Sequence, residues 1–178
     1  MDKKQGIVIK KYVRPFVQLI LENGQTENVF DQLSQMQSVF EETGLAHFLS
    51  NIAVGKLDKI QALRLFKQSE TGLVENLIEL LIQNDRENLL VDIVNESICQ
   101  LEKETNCFQV ELRSVTGLST QQKERLTSIV EKKLGLSVRS FKEINDPSLI
   151  GGFIISANHK TIDASVKGQL QTMKEKLK

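Results

Sequence analysis

Beyond its common charged side chains, this sequence offers few residues that could carry chemistry: two histidines, two cysteines and one pair of adjacent glycines. His47 and His159 lie more than a hundred positions apart, and neither has an acidic or cysteine neighbour at metal-ligand spacing. Cys99 and Cys107 lack the CxxC spacing of metal and redox sites, so we predict packing thiols in a reducing compartment. Cys99 could in principle act as a nucleophile, but a buried thiol is the simpler interpretation.

The glycine pair, Gly151–Gly152, could form an anion-binding nest of backbone N–H groups. Two glycines in an apolar run are more typical of a bulge or a close backbone approach inside a strand. The sequence also lacks a glycine-rich loop followed by Lys and Ser or Thr, a dinucleotide fingerprint and an HExxH motif. We therefore predict no catalytic residue, no cofactor and no metal, and a protein that acts by binding other proteins.

The charge of the chain is neutral overall but divided between its halves. Lys plus Arg and Asp plus Glu are both 23. Residues 1–105 hold 11 basic and 16 acidic residues, a net charge of −5, whereas residues 106–178 hold 12 and 7, a net charge of +5. This division favours two domains with different partners.

The basic second half leaves one alternative open, a small nucleic-acid-binding regulator. Only one aromatic residue, Phe141, lies near the basic centre of this half, and the chain has no Trp, so base stacking would be poorly served. A solvated face or an acidic protein partner explains the same charges, and we predict no nucleic-acid partner.

The N-terminus has neither the uninterrupted apolar core nor the cleavage site of a secretory signal. The apolar runs are a few residues long, far from the roughly 20 residues that span a bilayer. We therefore expect a soluble intracellular protein that reaches a membrane only through its partners.

The first half has apolar residues at helical spacing from Ile7 to about Cys99. This spacing predicts six helices with short connections, as in an antiparallel bundle. Pro15 removes a backbone donor, so we expect a kink in the first helix or a start near residues 11–14. Gly24 and Gly44 are expected helix ends. The third predicted helix is short and covers residues 46–51. The predicted inner residues of the other five are Ile9, Val13, Phe16 and Ile20 for helix one; Val29, Leu33, Met36 and Phe40 for helix two; Leu57, Ile60, Leu63 and Phe66 for helix four; Leu73, Leu77 and Leu80 or Leu81 for helix five; and Leu89 or Leu90, Ile93, Val94 and Leu101 for helix six.

The period changes after Thr105, where apolar and polar residues alternate over residues 108–113 and predict a half-buried strand. Ser119 and Gln122 have the spacing of a capping box that opens a helix ending at Gly135. Residues 136–141 and 150–157 predict two further strands, the second passing through the glycine pair. The inner faces of the two helices are predicted to be Leu126, Ile129, Val130 and Leu134, and then Ile162, Val166, Leu170, Met173 and Leu177.

The predicted fold class is thus α+β with two domains. Residues 1–105 form an N-terminal six-helix bundle, and residues 106–178 form a small mixed α/β domain with about three strands and two helices.

The segment from Asp146 to Leu177 resembles the most characteristic stretch of the delta subunit of the bacterial F-type ATP synthase, whose mitochondrial relative is the oligomycin-sensitivity-conferring protein. In that family an acidic residue, an aliphatic residue, a glycine pair and an apolar strand precede a helix opened by an aliphatic-Asp-x-Ser pattern. The matching residues here are Asp146, Ile150, Gly151, Gly152, Phe153, Ile155, Ile162, Asp163 and Ser165.

The resemblance implies a non-catalytic stator subunit at the top of the peripheral stalk, on the cytoplasmic face of the bacterial cell membrane. Its helical domain would bind the N-terminal segments of the alpha subunits beside helices one and five. Its C-terminal domain would bind the far ends of the b-subunit dimer. The family's alpha-subunit groove corresponds here to Tyr12, Phe16, Leu73 and Leu77, although packing in the bundle core explains these four residues at least as well.

Overall fold

The computed structural model describes residues 3–51, 53–65 and 72–176 of the chain. These residues form two compact units, Met1–Leu101 and Glu102–Lys178. Each unit has a hydrophobic cluster of its own.

The described part of the first unit is helical, with six helices and one short 3-10 turn that precedes the sixth. Val13, Val17 and Ile20 of the first helix, together with Leu33 of the second and Leu81 of the fifth, lie in one core and are almost inaccessible to solvent. The helices are α1 (Lys3–Glu22), α2 (Thr26–Thr43), α3 (Leu45–Ser50), α4 (Lys56–Arg64), α5 (Leu73–Gln83) and α6 (Leu90–Thr105), and the 3-10 turn is Glu87–Leu89.

Helix α1 corrects the expectation of a late start, because it is already helical at Lys3 and contains Pro15. Proline inside a helix removes one hydrogen bond and costs about 3 kcal/mol. Ile9 and Val13 before Pro15 and Ile20 after it are all buried. Burial of one large aliphatic side chain contributes about 1.5–3 kcal/mol, so the buried face on both sides outweighs the lost bond.

Helix α4 does not present the predicted face. Leu63 is buried, Ile60 is half-buried and Leu57 is 75% exposed, while Phe66 lies outside the described residues. At 3.6 residues per turn, the six positions from Leu57 to Leu63 leave their side chains about 120° apart around the axis. One side chain therefore faces the core and the other faces solvent. In α5, where either Leu80 or Leu81 was expected on the inner face, Leu81 is buried and Leu80 is 45% exposed.

The second unit contains a four-stranded sheet and two helices. The elements are β1 (Cys107–Ser114), α7 (Thr120–Leu134), β2 (Ser137–Asn145), β3 (Phe153–Ala157), β4 (Lys160–Asp163) and α8 (Val166–Lys176). The strand order in the sheet is β2-β1-β3-β4. Strands β1 and β2 are parallel and joined through α7, whereas β3 pairs antiparallel with both β1 and β4. This arrangement confirms the α+β class.

Strand β1 and helix α7 follow the predicted patterns closely. Burial alternates along β1, with Phe108, Val110 and Leu112 inside. The capping box is confirmed, since the Ser119 hydroxyl accepts from the Gln122 N–H at 3.4 Å and the Gln122 side chain accepts from the Ser119 N–H at 2.8 Å. The inner face of α7 is Leu126, Val130 and Leu134, but Ile129, which was predicted with them, is 40% exposed.

Two boundaries differ from the prediction. Strand β3 begins at Phe153, after the glycine pair rather than through it. Ile162 belongs to a fourth strand and not to the last helix, because Asn158 and His159 adopt left-handed φ angles of 46° and 59°. Such a pair reverses the chain within two residues and allows residues 160–163 to pair with β3.

The Glu102 carboxylate, near the end of α6, forms a hydrogen bond with the backbone of β1. The pairing of β1 with β2 shifts register between Phe108 and Gln109, where the ladder is irregular. The Glu102 carboxylate accepts a hydrogen bond from the Gln109 N–H at 2.9 Å. Burial of Glu102 raises the pKa of its carboxyl group above the usual value, and the bond from Gln109 acts against this shift.

Candidate functional site

The residues of the glycine-pair segment meet where β4 turns into α8. The Gly151 carbonyl accepts from the Val166 N–H at 3.0 Å, and the Phe153 carbonyl accepts from the Ala164 N–H at 2.9 Å. Gly152 has a φ of 80°, and a Cβ there would lie 2.3 Å from the carbonyl oxygen of Ala164. The glycine pair therefore permits a close approach of two backbone segments, as predicted, but it lies at a bend and not inside a strand.

The Asp-x-Ser pattern opens α8 by capping its first turn. The Ser165 side chain, 2% exposed, accepts from the Gly168 N–H at 3.0 Å. The Asp163 carboxylate accepts from the Ser165 N–H at 2.8 Å. Hydrogen bonds from the Ser165 side chain and backbone hold the pKa of Asp163 below its usual value. A Cβ at Gly168 would lie 2.7 Å from the Asp163 carboxylate, so any residue other than glycine would force that carboxylate to move.

Asp146 forms a similar set of local hydrogen bonds just after β2. Its carboxylate accepts from the Ser148 hydroxyl at 2.6 Å and from the Ser148 N–H at 3.0 Å, while its own N–H donates to the Ser114 carbonyl. The bonds from Ser148, with a smaller contribution from Arg113, lower the pKa of Asp146. Ile150 is 76% exposed, unlike Phe153 and Ile162, which are half-buried and pack against the core of the unit.

The four residues predicted for the groove of helices one and five all belong to the first core or pack against it. Phe16 and Leu77 are buried, whereas Tyr12 and Leu73 are half-buried. The part of this surface that a partner can reach therefore includes Tyr12 and Leu73.

Two exposed leucines that were not among the predicted groove residues extend the accessible surface. Leu19 is 43% exposed and lies seven positions after Tyr12, and Leu80 is 45% exposed and lies seven positions after Leu73. Seven positions are almost two helical turns, so each pair shares one side of its helix. The same spacing is visible in the sequence, but the sequence does not indicate which side remains exposed.

The second unit contains a groove of about 420 Å³ between the start of α7 and the glycine pair. Its walls include Leu118, Leu126, Ile129 and Phe153, and Arg125 lies at the same site. The sequence did not predict this groove, because it depends on the bend at the glycine pair lying opposite α7. Nearby, Lys123 of α7 pairs with Glu143 of β2 and lowers the pKa of that carboxyl group.

The described residues show no metal-binding arrangement, since no group of three or more His, Cys, Asp or Glu side chains in these ranges could hold an ion. Cys99 and Cys107 are both half-buried and form no disulfide. Within residues 3–51, 53–65 and 72–176, no helix is long and apolar enough to cross a membrane.

Comparisons with known proteins agree over the whole chain. The family model of the ATP synthase delta (OSCP) subunit matches residues 8–177. Proteins named ATP synthase subunit delta from Streptococcus sanguinis, Streptococcus gordonii and Streptococcus pneumoniae are 58%, 52% and 49% identical over 178 residues, covering all of each chain. A chain in the cryo-EM structure of the Toxoplasma gondii mitochondrial ATP synthase hexamer has the same fold, with a TM-score of 0.67, 17% identity, and coverage of 95% of this chain and 96% of that one.

Proposed function

The chain belongs to the ATP synthase delta (OSCP) subunit family, and on that premise we propose that it joins the catalytic head of the enzyme to the peripheral stalk. As a member of this family it is a structural, non-catalytic subunit, and ATP is made by the complex. The observation that carries the proposal is the 58% sequence identity with the Streptococcus sanguinis relative over all 178 residues. This match covers both units of the chain.

The mechanical requirement follows from rotary catalysis. Torque from proton flow turns the rotor and would turn the head with it unless a stator resists. A joint in that stator must therefore bind at two places and hold both while load is applied. Two units with separate cores and opposite net charges suit this task, because each unit can recognise a different partner.

At the head, we assign the first unit to the N-terminal segments of the alpha subunits. An amphipathic segment binds a helical surface through apolar side chains that repeat every three or four residues. Tyr12 and Leu19 on α1 and Leu73 and Leu80 on α5 offer accessible apolar atoms seven positions apart, which is two such repeats. Phe16 and Leu77 are buried, so they would support this surface from within the core.

At the stalk, we assign the basic second unit to the far ends of the b-subunit dimer. Opposite charges on the two partners favour correct orientation and fast association. The subunit would then lie at the cytoplasmic face of the bacterial membrane and reach that membrane only through the complex. A nucleic-acid-binding regulator gains no support from the relatives, which are named as ATP synthase subunits.

Calorimetric titration tests the head contact directly. The purified chain should bind a peptide from the N-terminus of the matching alpha subunit, with an affinity that falls only gently with salt because apolar contacts dominate. A steep loss of affinity with salt would indicate a mainly electrostatic contact. No heat of binding at high micromolar concentrations would contradict the proposal.

A further inference from the structure

Helix α8 differs from every other helix that the structure describes. The others each bury at least one apolar side chain, whereas no described side chain of α8 is buried. Val166, Leu170 and Met173 are 41%, 53% and 60% exposed. An apolar stripe of this kind is normally covered by another element, and no described element of the second unit covers it.

The spacing on α8 is that of a coiled-coil helix. The three apolar positions are separated by four residues and then by three, which is the a/d spacing of a heptad, and Leu177 continues it in the sequence. Lys167 and Lys174 each follow an apolar position directly and lie seven residues apart, so both occupy the same flank of the stripe. Both lysine side chains are exposed. In coiled coils, charges on this flank select the partner.

The apolar stripe begins beside the groove of the second unit. A Cβ on Gly151 would lie 3.3 Å from the Cγ2 atom of Val166, and Gly151 also lines the groove. Ile150, 76% exposed, precedes Gly151 in the chain, and Ile129, 40% exposed, lines the groove itself. The exposed apolar surface of α8 therefore continues into a cavity that can receive a large apolar side chain.

We propose that α8 forms one half of a two-helix coiled-coil contact, and that the other half is an amphipathic helix of a partner with acidic residues facing Lys167 and Lys174. A second copy of this chain is a poor partner in any pairing that places the lysine flanks of the two α8 helices together, because like charges would then face each other. This inference rests on the proposed function, because it specifies the chemistry by which the second unit would recognise the stalk.

Two synthetic helical peptides test the proposal on the full chain. Both carry Leu at positions a and d; one has Glu and the other Lys at the flanking positions. We expect the Glu peptide to bind about tenfold more tightly than the Lys peptide at low salt. The double variant K167E/K174E should reverse this preference, a result that unfolding cannot produce. The matched variant K132E/K133E, at exposed lysines in the last turn of α7, should keep it.

Equal binding of the two peptides, or a preference that K167E/K174E leaves unchanged, would overturn the proposal. A stable dimer of the chain in analytical ultracentrifugation, lost in a Leu170→Ser variant, would also overturn it by showing that a second copy covers α8.

Recovery with the assembled complex separates this inference from the proposed function. The wild-type chain should co-purify with ATP synthase from cells, and K167E/K174E should be recovered in clearly smaller amounts than K132E/K133E. Full recovery of K167E/K174E would overturn the α8 assignment and leave the proposed function intact. Absence of the wild-type chain from the complex would overturn the proposed function, whatever the peptides show.

Discussion

The two units differ in how far the apolar faces of their helices are buried. In the first unit the inner faces of α1, α2, α5 and α6 meet in one core, where many side chains have no exposed surface at all. In the second unit the sheet and α7 form a smaller core, and the apolar side chains of α8 that the structure describes remain exposed. An apolar stripe thus predicts that something will cover it, but not whether the cover comes from the same chain. The first unit buries the main apolar stripe of each of these helices in its own core, and we infer that the second unit leaves the stripe of α8 exposed for a partner.

The largest expected effect tests this difference with matched truncations. Phe16→Ala removes a buried side chain and should lower the free energy of unfolding of the first unit by about 3–5 kcal/mol. Leu170→Ala on α8 should change stability by less than about 0.5 kcal/mol, because the side chain is 53% exposed. Urea unfolding followed by circular dichroism measures both. Equal losses would show that α8 is packed within its own unit, against the comparison drawn here.

The next effect concerns the bend that places α8. Gly152→Ala puts a Cβ 2.3 Å from a backbone carbonyl in a left-handed conformation, so we expect a loss of about 2–4 kcal/mol in the second unit. Gly117→Ala is the control, since a Cβ on Gly117 would lie 4.0 Å from a Glu143 side-chain oxygen, an ordinary van der Waals contact. Thermal unfolding of both variants decides the point. A stable Gly152→Ala protein would mean that the close approach of the two backbone segments is dispensable.

Acid should weaken the second unit through its capping carboxylates. Hydrogen bonds lower the folded-state pKa values of Asp146 and Asp163 from the usual 3.8, so their contribution is present above that pH and is lost as pH falls through the lowered values. Glu102 acts in the opposite direction, because its raised pKa favours the protonated form in the folded state.

Urea midpoints measured between about pH 6 and pH 2.5 check this balance. Asp163→Asn should flatten the acid dependence, whereas Glu102→Gln should steepen it by removing the opposing group. An acid profile that neither substitution alters would show that these carboxylates do not couple folding of the unit to pH.

The smallest expected change in stability concerns the head contact. Leu80→Ser should leave the first unit folded, within about 0.5 kcal/mol, because the side chain is 45% exposed, and should weaken binding of the alpha peptide. Its neighbour Leu81 is buried, so Leu81→Ser should instead destabilise the unit. Calorimetry and unfolding are measured on both. Unchanged peptide binding by Leu80→Ser would remove this residue from the proposed surface.

Helical periodicity predicted most of the fold because it depends on local spacing. The core positions of α2 and α6, the alternation along β1 and the Ser119–Gln122 cap all follow from residues close together in the sequence. The misplaced features depend on distant residues or on local conformations that the pattern conceals. Ile162 fits a helical stripe in the sequence, yet the turn at Asn158–His159 pairs it with β3.

The candidate sites show the same division. The sequence singled out the glycine pair and the Asp-x-Ser pattern, but only the fold shows that Gly152 and Asp163 act in one connection. The family resemblance implied Phe16 and Leu77 among the groove residues; both are buried, and the exposed apolar side chains three positions after them are Leu19 and Leu80. Burial depends on every neighbouring element at once, so a single helical pattern cannot supply it.

The most direct test of a two-ended joint is a ternary binding measurement. The full chain is saturated with a soluble fragment of the b subunit and then titrated with the N-terminal peptide of the alpha subunit, with sedimentation reporting the composition of the complex. The account predicts that both ligands occupy one chain together and that the peptide binds with nearly the same affinity as to the free chain. Displacement of one ligand by the other would show a single shared site and contradict the account.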